Sequence, residues 1–197
     1  MNMKITEMSI TPVEGNPKRL ANVRVTINGE YCLRNLRIMP PKSGESKPVL
    51  GMALEKIEKT QRFVEVFHPI TADAREALED VIFGAYEAMA GSMERKDFEF
   101  GMDKPSEITD IEIVMNPKSD SPVKAFASVV LDDAVKLKSV LVLESKDTGD
   151  LYIATPRRRA QEDSDQKPKH IWFPISAEAR EKLQTAVLAK YAEVVAE

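Results

Sequence analysis

The stretch Pro69-Ile70-Thr71-Ala72-Asp73-Ala74-Arg75-Glu76-Ala77-Leu78 decides the fold, because the chain repeats it as Pro174-Ile175-Ser176-Ala177-Glu178-Ala179-Arg180-Glu181-Lys182-Leu183. Before Lys182, the copies differ only by Thr for Ser and Asp for Glu. Tyr86 recurs as Tyr191 at the same spacing from the repeated stretch. Self-similarity of this kind indicates a tandem duplication. The two halves of the chain are therefore expected to fold alike.

Both halves carry the same strand signals before the repeated stretch. Residues 21–27 alternate apolar and polar side chains, and residues 125–131 do the same, which is typical of a strand with one buried face. Asn28-Gly29 follows the first of these strands and predicts a two-residue type I′ turn, because both residue types accept positive φ. Asp132-Asp133 is a weaker turn signal, and its carboxylates are expected to be solvated.

The strand after each turn changes its apolar parity partway along. Leu33 and Leu36 are out of step with strict alternation, and Leu137 and Val140 repeat the slip. One extra residue in a strand returns the apolar side chains to a common face. The sequence therefore predicts a β-bulge at the same place in both halves.

Each repeated stretch contains the start of a helix. Thr71 and Ser176 are suitable N-cap residues, and Asp73 and Glu178 lie in the first turn, where the helix dipole favours negative charge. Glu178 is expected to pair with Lys182 at i+4. Apolar residues recur on one face of each helix, so each helix is expected to cover a sheet.

The predicted fold class is α+β, with two homologous modules that each join a twisted antiparallel β-sheet to a C-terminal helix. Residues 1–92 form the first module, 93–105 a linker and 106–197 the second module. A module of roughly 95 residues buries a smaller fraction of its surface alone than it does in a pair. The modules are therefore expected to pack together as an intrachain pseudo-dimer.

Composition predicts an ordinary globular protein, with 30% charged and 43% hydrophobic residues. The chain has no apolar run long enough to span a bilayer and no signal peptide after Met1, so we expect no membrane partner and a cytoplasmic location. Its single cysteine, Cys32, lies in a strand pattern and is expected to fill the core. Because the net charge is -4, any polyanion site must be a local patch.

The sequence offers no catalytic constellation. His68 and His170 do not occupy equivalent positions, no Cys/His cluster has metal-site spacing, and no glycine-rich phosphate loop is present. We therefore expect no enzyme, cofactor or metal. His68 is expected to be a hydrogen-bonded structural histidine, because a lone histidine lacks the orienting partners of acid-base catalysis.

One strong charge feature remains, the run Arg157-Arg158-Arg159. Lys167, Lys169 and His170 return after it, across an expected hairpin. Adjacent guanidinium groups suit phosphate oxygens, which favours a polyanion site. The alternative is a solvated loop balanced by the carboxylates between residues 162 and 165. Arg75 and Arg180, repeated in the two halves, either lie along the sheet edge or reach a phosphate.

Several short motifs together resemble a known family. The first half has the corner His68-Pro69-Ile70, and the second half has the strand end Ala154-Thr155-Pro156-Arg157 and the helix Leu183-Gln184-Thr185-Ala186-Val187-Leu188-Ala189-Lys190-Tyr191. Arg75 and Arg180 both match the family's helix arginine. In this order these motifs resemble the bacterial SpoVG proteins (stage V sporulation protein G, septation regulators). The resemblance covers nearly the whole chain.

The resemblance implies a small α+β module, normally a homodimer, that binds DNA and RNA and modulates division, sporulation and gene expression. The first interpretation is therefore a tandem regulatory protein with a local basic patch, and DNA against RNA stays open. The residues expected to bind nucleic acid are Arg157, Arg158, Arg159, Lys167, Lys169, Arg180, Lys182 and Arg75. The alternative is a protein-interaction module of a division or regulatory pathway that has lost nucleic-acid binding. An enzyme ranks third.

Overall fold

A computed structural model describes residues 3–57, 61–101, 104–118, 120–158 and 169–196. The first half contains eight strands and one helix among these residues. They are β1 (Ile5–Pro12), β2 (Ala21–Ile27), β3 (Tyr31–Met39), β4 (Val49–Gly51), β5 (Leu54–Ile57), β6 (Arg62–Glu65), β7 (Phe67–Pro69), α1 (Ala72–Glu87) and β8 (Lys96–Glu99).

The second half repeats this order up to its helix. Its elements are β9 (Ile108–Met115), β10 (Val123–Leu131), β11 (Val135–Glu144), β12 (Leu151–Ala154), β13 (Arg157–Arg158), β14 (Lys169–His170), β15 (Trp172–Pro174) and α2 (Ala177–Ala196). The predicted fold class, two antiparallel α+β modules that each end in a helix, is confirmed. Both predicted N-caps are confirmed too, since Thr71 and Ser176 accept hydrogen bonds from the backbone of Ala74 and Ala179 at 3.1 and 3.0 Å.

The two main sheets exchange strands between the modules. The first sheet has the order β15-β3-β2-β1-β8, and the second has the order β12-β11-β10-β9, with β7 also paired to β11. Thus β7 of the first half extends the second sheet, and β15 of the second half extends the first. The chain is an intrachain pseudo-dimer whose halves are held together by backbone hydrogen bonds.

The buried side chains form one hydrophobic core that includes residues of both halves. Trp172 of β15 and Tyr31 of β3 are fully buried within it, as are Leu78 of α1 and Leu183 of α2. Helix α1 packs against β1 and β7, and α2 packs against β9, β10 and β12. Because one core serves both sheets, the burial that stabilises each half depends on the other.

The structure confirms both predicted bulges and the positive φ angles of both predicted turns, but each hairpin loop has three residues rather than two, since Ile27 pairs with Tyr31 and Leu131 with Val135. Asn28 and Gly29 have positive φ (49° and 66°), and Asp132 and Asp133 have φ of 54° and 51°, as a type I′ turn requires. The ladder between the second and third strands of each half shifts register between Leu33 and Leu36 and between Leu137 and Val140. The repeat therefore extends to backbone geometry.

Each bulge receives the strand that arrives from the other half. Arg34 N–H donates to the carbonyl of Ile171 at 2.8 Å, and the equivalent Lys138 N–H donates to Val66 at 2.8 Å. The indole Nε1–H of Trp172 also donates to the Lys138 carbonyl at 2.9 Å. The extra residue thus exposes backbone groups that hold the exchanged strand.

The expectation that Asp132 is a solvated turn carboxylate is wrong. Asp132 is 8% exposed and accepts hydrogen bonds from Asn28 Nδ2 and from the backbone of Glu107, both at 2.9 Å. Asn28 is its counterpart in the first turn, and its Oδ1 accepts the matching bond from the Lys4 backbone at 2.8 Å. The two turns therefore meet at the pseudo-two-fold axis, which brings Asp132 out of solvent.

The segment 93–105, predicted to be the linker, contains β8, which pairs with β1. The module boundaries, those of the linker included, stay a prediction. The expected ion pair between Glu178 and Lys182 is replaced, because Lys182 Nζ donates to the backbone carbonyl of Ser106 and lies 3.9 Å from Glu30 of the other half. Lys182 therefore joins the modules.

Candidate nucleic-acid interface

A groove lies over the first sheet and between two equivalent hairpins. The hairpin β5–β6 belongs to the first half and β13–β14 to the second, and each follows the last strand of its module's ladder. Because β15 lies on the first sheet, both hairpins contribute to the same groove, which encloses about 700 Å³. Its cationic lining residues are Arg19, Arg37, Lys56, Arg157 and Arg158.

Arg37 lies on the floor of this groove, on β3. Its Nη2 donates to the carbonyl of Met52 at 3.1 Å, while its buried Nε has no hydrogen-bond partner among the described residues. Burial lowers the pKa of Arg37, and the nearby charges of Arg19 and Arg158 lower it further. Cations of both halves are therefore close enough to repel one another, which an anion in the groove would relieve.

His170 connects the arginine run to the strand before it. Arg157 Nε donates to His170 Nε2 at 3.1 Å, and Thr155 Oγ1 lies 2.8 Å from His170 Nδ1. With Nε2 accepting, this pattern assigns the proton to Nδ1 of a neutral ring. The pKa of His170 is lowered by burial first and then by the charges of Arg157, Arg34 and Arg180. The hairpin therefore already holds a concentrated positive charge.

Among the residues that the structure describes, the groove has one acidic lining residue and two exposed apolar side chains. Glu55 lines it, but this carboxylate accepts a hydrogen bond from Ser139 of the other half at 2.8 Å. Phe63 lines it with 64% of its surface exposed, and Leu54 is 45% exposed. An exposed ring beside several guanidinium groups suits a ligand that has both phosphates and flat apolar faces.

The equivalent face of the second half has different chemistry. Leu141 of β11 occupies the position that Arg37 occupies in β3. Arg37 pairs with Asn22 and Gly51 on the neighbouring strands, whereas Leu141 pairs with Phe126 and Ala154. The polar floor of the groove is thus replaced by leucine and phenylalanine. The duplicated faces have diverged, and the basic groove belongs to one side of the pseudo-dimer.

The structure brings only part of the expected site together. Arg157 and Arg158 line the groove, and Lys169 is exposed on β14 opposite Arg158. Arg180 is exposed, and its charge acts on His170. Arg159 and Lys167 lie outside the described residues.

Two other residues that are expected to bind nucleic acid have partners within the protein. Lys182 reaches Ser106 and Glu30, as described above. Arg75 forms an ion pair with Glu79 on α1, with an Nη1 to Oε1 distance of 3.5 Å. Neither of the repeated helix arginines lines the groove, although the charge of Arg180 acts on His170 of the groove's hairpin.

Sequence reasoning missed Arg19, Arg37 and Lys56. Arg37 occupies the polar parity of β3, which the alternation of that strand could have indicated. Arg19 and Lys56 lie in a loop and a short hairpin strand, and no local pattern connects either residue with Arg157. Their grouping depends on the strand exchange.

The other residues that the sequence singled out, Cys32 and His68, do not line the groove. Cys32 is buried. Burial and the charge of Lys138 lower the pKa of His68, but the expectation of a hydrogen-bonded His68 is not met at its buried Nδ1, which lacks a partner among the described residues. Within the described ranges, no group of three or more His, Cys, Asp or Glu residues could hold a metal, and no helix there is both long and apolar enough to span a membrane.

Comparisons with known proteins agree with the repeat. The SpoVG family model matches residues 3–88 and again residues 106–193. The relatives include proteins named "Putative septation protein SpoVG" from three organisms. The protein of Finegoldia magna is 38% identical over 87 residues, which cover 44% of this chain and 75% of the relative. The protein of Acetivibrio thermocellus is 39% identical over 90 residues (46% and 89%), and that of Archaeoglobus fulgidus is 38% identical over 88 residues (45% and 96%).

Each of these relatives is thus similar to about half of the chain, while the family model covers both halves. The match and the strand exchange describe the same duplication, once in sequence and once in structure. The chain therefore belongs to the SpoVG family and carries the family's module twice.

Proposed function

We propose that this protein binds nucleic acid through the basic groove and acts as a regulator of septation, sporulation or gene expression. The observation that carries the proposal is the convergence of five cationic side chains from both halves on one groove, namely Arg19, Arg37, Lys56, Arg157 and Arg158. Among the described lining residues, only Glu55 balances this charge, and it is already hydrogen-bonded to Ser139. The regulatory role rests on the septation name shared by the relatives.

Phosphate binding explains why the groove combines like charges. A bound phosphate backbone supplies an anion to the cluster of Arg37, Arg19 and Arg158, and planar guanidinium groups bind phosphate oxygens in pairs. Such binding is local, so it is compatible with the chain's net charge of -4. It also releases counterions and therefore weakens steeply as salt is added.

The test is a salt titration with a fluorescein-labelled single-stranded oligonucleotide, followed by anisotropy. The double variant Arg157→Ala, Arg158→Ala is expected to bind more weakly and to reduce the slope of log affinity against log salt by about 0.7 for each phosphate that it no longer neutralises. Arg75→Ala is the matched control, because Arg75 is ion-paired to Glu79 and does not line the groove. An equal loss of affinity in the control would contradict the assignment of the groove.

The second candidate is a protein-interaction module. The apolar character of the second half's equivalent face, with Phe126 45% exposed, favours this candidate specifically. Absence of binding to any DNA or RNA at low salt would make it the first choice.

A further inference from the structure

The outer edge of the first strand pairs with another strand in the first half but, among the described strands, not in the second half. In the first half, β8 covers β1, with Met8 opposite Phe98 and Ile10 opposite Lys96. In the second half, β9 is the counterpart of β1, and it pairs with β10 alone among the described strands. Five residues of β1 are buried, whereas no residue of β9 is. The duplication therefore left an equivalent edge without its cover.

The direction of the backbone groups on β9 follows from its one ladder. Asn116 N–H donates across to Lys124 of β10 at 2.9 Å, and alternate residues of an antiparallel strand point to the same side. Glu112 and Val114 therefore direct their N–H and C=O groups to β10, and Ile111 and Ile113 direct theirs to the open side. A row of such groups is a template for an added strand.

The first half shows what occupies this kind of edge. There, the Phe100 N–H donates to the carbonyl of Thr6 at 2.9 Å, and β8 continues the antiparallel ladder from that bond. Ser9 Oγ donates to Asp97 of β8. The occupant is thus an extended antiparallel segment of about four residues or more, with side chains matched to those of the edge.

The side chains of β9 favour an added strand whose charge differs from that of β8. Glu112 stands at the position of Ser9 and Asp110 at the position of Glu7. A strand like β8 would place an aspartate opposite Glu112, and like charges directly opposite destabilise a ladder. Basic side chains opposite Asp110 and Glu112 would stabilise it. Glu112 already accepts from Lys136 at 2.6 Å, so Asp110 carries the larger uncompensated charge among the described residues of β9.

The same outer face continues into apolar surface. Val114 is 56% exposed and lies opposite Phe126, which is 45% exposed. Tyr152 of β12, 44% exposed, lies farther along the same sheet. An added strand with an apolar residue near Val114 would extend this surface and remove part of it from water.

We propose that the open edge of β9 binds an extended segment of another protein by antiparallel strand addition, and that this segment alternates basic with apolar residues. The site is separate from the basic groove, so it is independent of nucleic-acid binding. The protein therefore has a second ligand surface, which binds basic segments, whereas the groove binds polyanions.

The experiment uses the full chain and a synthetic octapeptide that alternates lysine with valine and phenylalanine. Backbone amide hydrogen exchange, resolved by residue in NMR spectra, is the readout. The amides of Ile111 and Ile113 are expected to exchange about tenfold more slowly with the peptide, while that of Glu112, already bonded to β10, stays unchanged. A peptide N-methylated at alternate residues keeps the charge but removes the ladder, and it is expected to give no protection.

The variant Asp110→Lys tests the charge preference. Its affinity for the lysine peptide is expected to fall about threefold or more, and Asp80→Lys on the exposed face of α1 is the control that leaves affinity unchanged. Protection by a glutamate version of the peptide equal to that by the lysine version would overturn the proposal. So would protection of Ile111 and Ile113 in the free protein with a doubled mass, because a second copy would then cover the edge.

Discussion

At the scale of single residues, Phe63 distinguishes this groove from a simple cluster of charges. Its side chain is 64% exposed and therefore accessible to a ligand, and it lies among cations that repel one another. Aromatic rings beside a basic track stack on unpaired bases, and each stack contributes about 1–3 kcal/mol. We therefore expect the Phe63 ring to stack on bases and the arginines to bind phosphates.

Phe63→Ala is expected to weaken binding of single-stranded oligonucleotides about tenfold, which corresponds to about 1.4 kcal/mol, and to leave duplex binding and the salt slope nearly unchanged. Phe63→Tyr keeps a stacking ring and is expected to bind like the parent. Anisotropy titrations with matched single and double strands check both variants. An equal loss for duplex and single strand would remove the stacking role.

The two histidines predict how stability depends on pH. The pKa values of His68 and His170 are both lowered from 6.5, in each case by burial first. Because the unfolded chain then binds more protons than the folded chain, the histidines contribute their full stability only above the unfolded pKa. That stability is lost as the pH falls through the unfolded pKa toward the folded pKa. Stability should therefore decrease on acidification from about pH 7.5.

His170→Asn is expected to flatten part of this decrease, and His68→Asn another part. Urea denaturation at a series of pH values between about 5 and 8, the range in which histidine titrates, checks the prediction. If the double variant shows the same pH dependence in this window as the parent, the histidines are not its origin.

At the scale of elements, the two turns form a matched pair. Gly29 and Asp133 both have positive φ, and their backbone N–H groups donate to the equivalent hydroxyls of Thr6 and Thr109 at 2.9 and 3.2 Å. A left-handed backbone is unfavourable for a residue with a Cβ, though Asp tolerates it better than most. The second turn is therefore the weaker copy.

Asp133→Gly is expected to stabilise the protein by about 0.5 kcal/mol, and Gly29→Asp to destabilise it by a similar amount. Neither change alters the backbone donor to threonine. Urea denaturation followed by the fluorescence of Trp172, the chain's single tryptophan, measures both. A loss of stability in Asp133→Gly would mean that the Asp133 side chain contributes more than its backbone strain costs.

The elements also show what the sequence could predict. The turn at Asn28-Gly29, the bulges and the caps at Thr71 and Ser176 are local, so their residues carry the signal. The burial of Asp132 and the grouping of Arg19 with Arg157 depend on interactions between distant parts of the chain. No local pattern contains them, because strand exchange is decided by which sheet offers free backbone groups.

At the scale of the whole molecule, the strand exchange makes the halves interdependent. The third strand of each half, through its bulge, bonds a strand of the other: Arg34 to Ile171 and Lys138 to Val66. A half by itself has no partner for these groups, and buried backbone groups left without partners cost about 1–3 kcal/mol each. The intact 22.1 kDa chain is therefore expected to unfold in one transition.

Separately produced halves, residues 1–101 and 104–197, test this dependence. Mixed together, they are expected to form a one-to-one complex in which Trp172 is again buried, because each half supplies the strand that the other lacks. Sedimentation and tryptophan emission check the complex. A second half that folds as a monomer with buried Trp172 would contradict the role of the exchange.

The turns that meet at the axis also predict which pairs of halves form. Two second halves would place Asp132 against its own copy, and a carboxylate accepts hydrogen bonds but donates none, whereas two first halves would oppose Asn28 to Asn28. The mixed pair keeps the bond from Asn28 Nδ2 to Asp132 at 2.9 Å. The second half alone should therefore self-associate poorly at pH 7, and Asp132→Asn should strengthen its self-association by about tenfold or more, equivalent to about 1.4 kcal/mol. If Asp132→Asn leaves self-association unchanged, the buried bond between Asn28 and Asp132 does not select the mixed pair, and the exchanged strands alone decide how the halves associate.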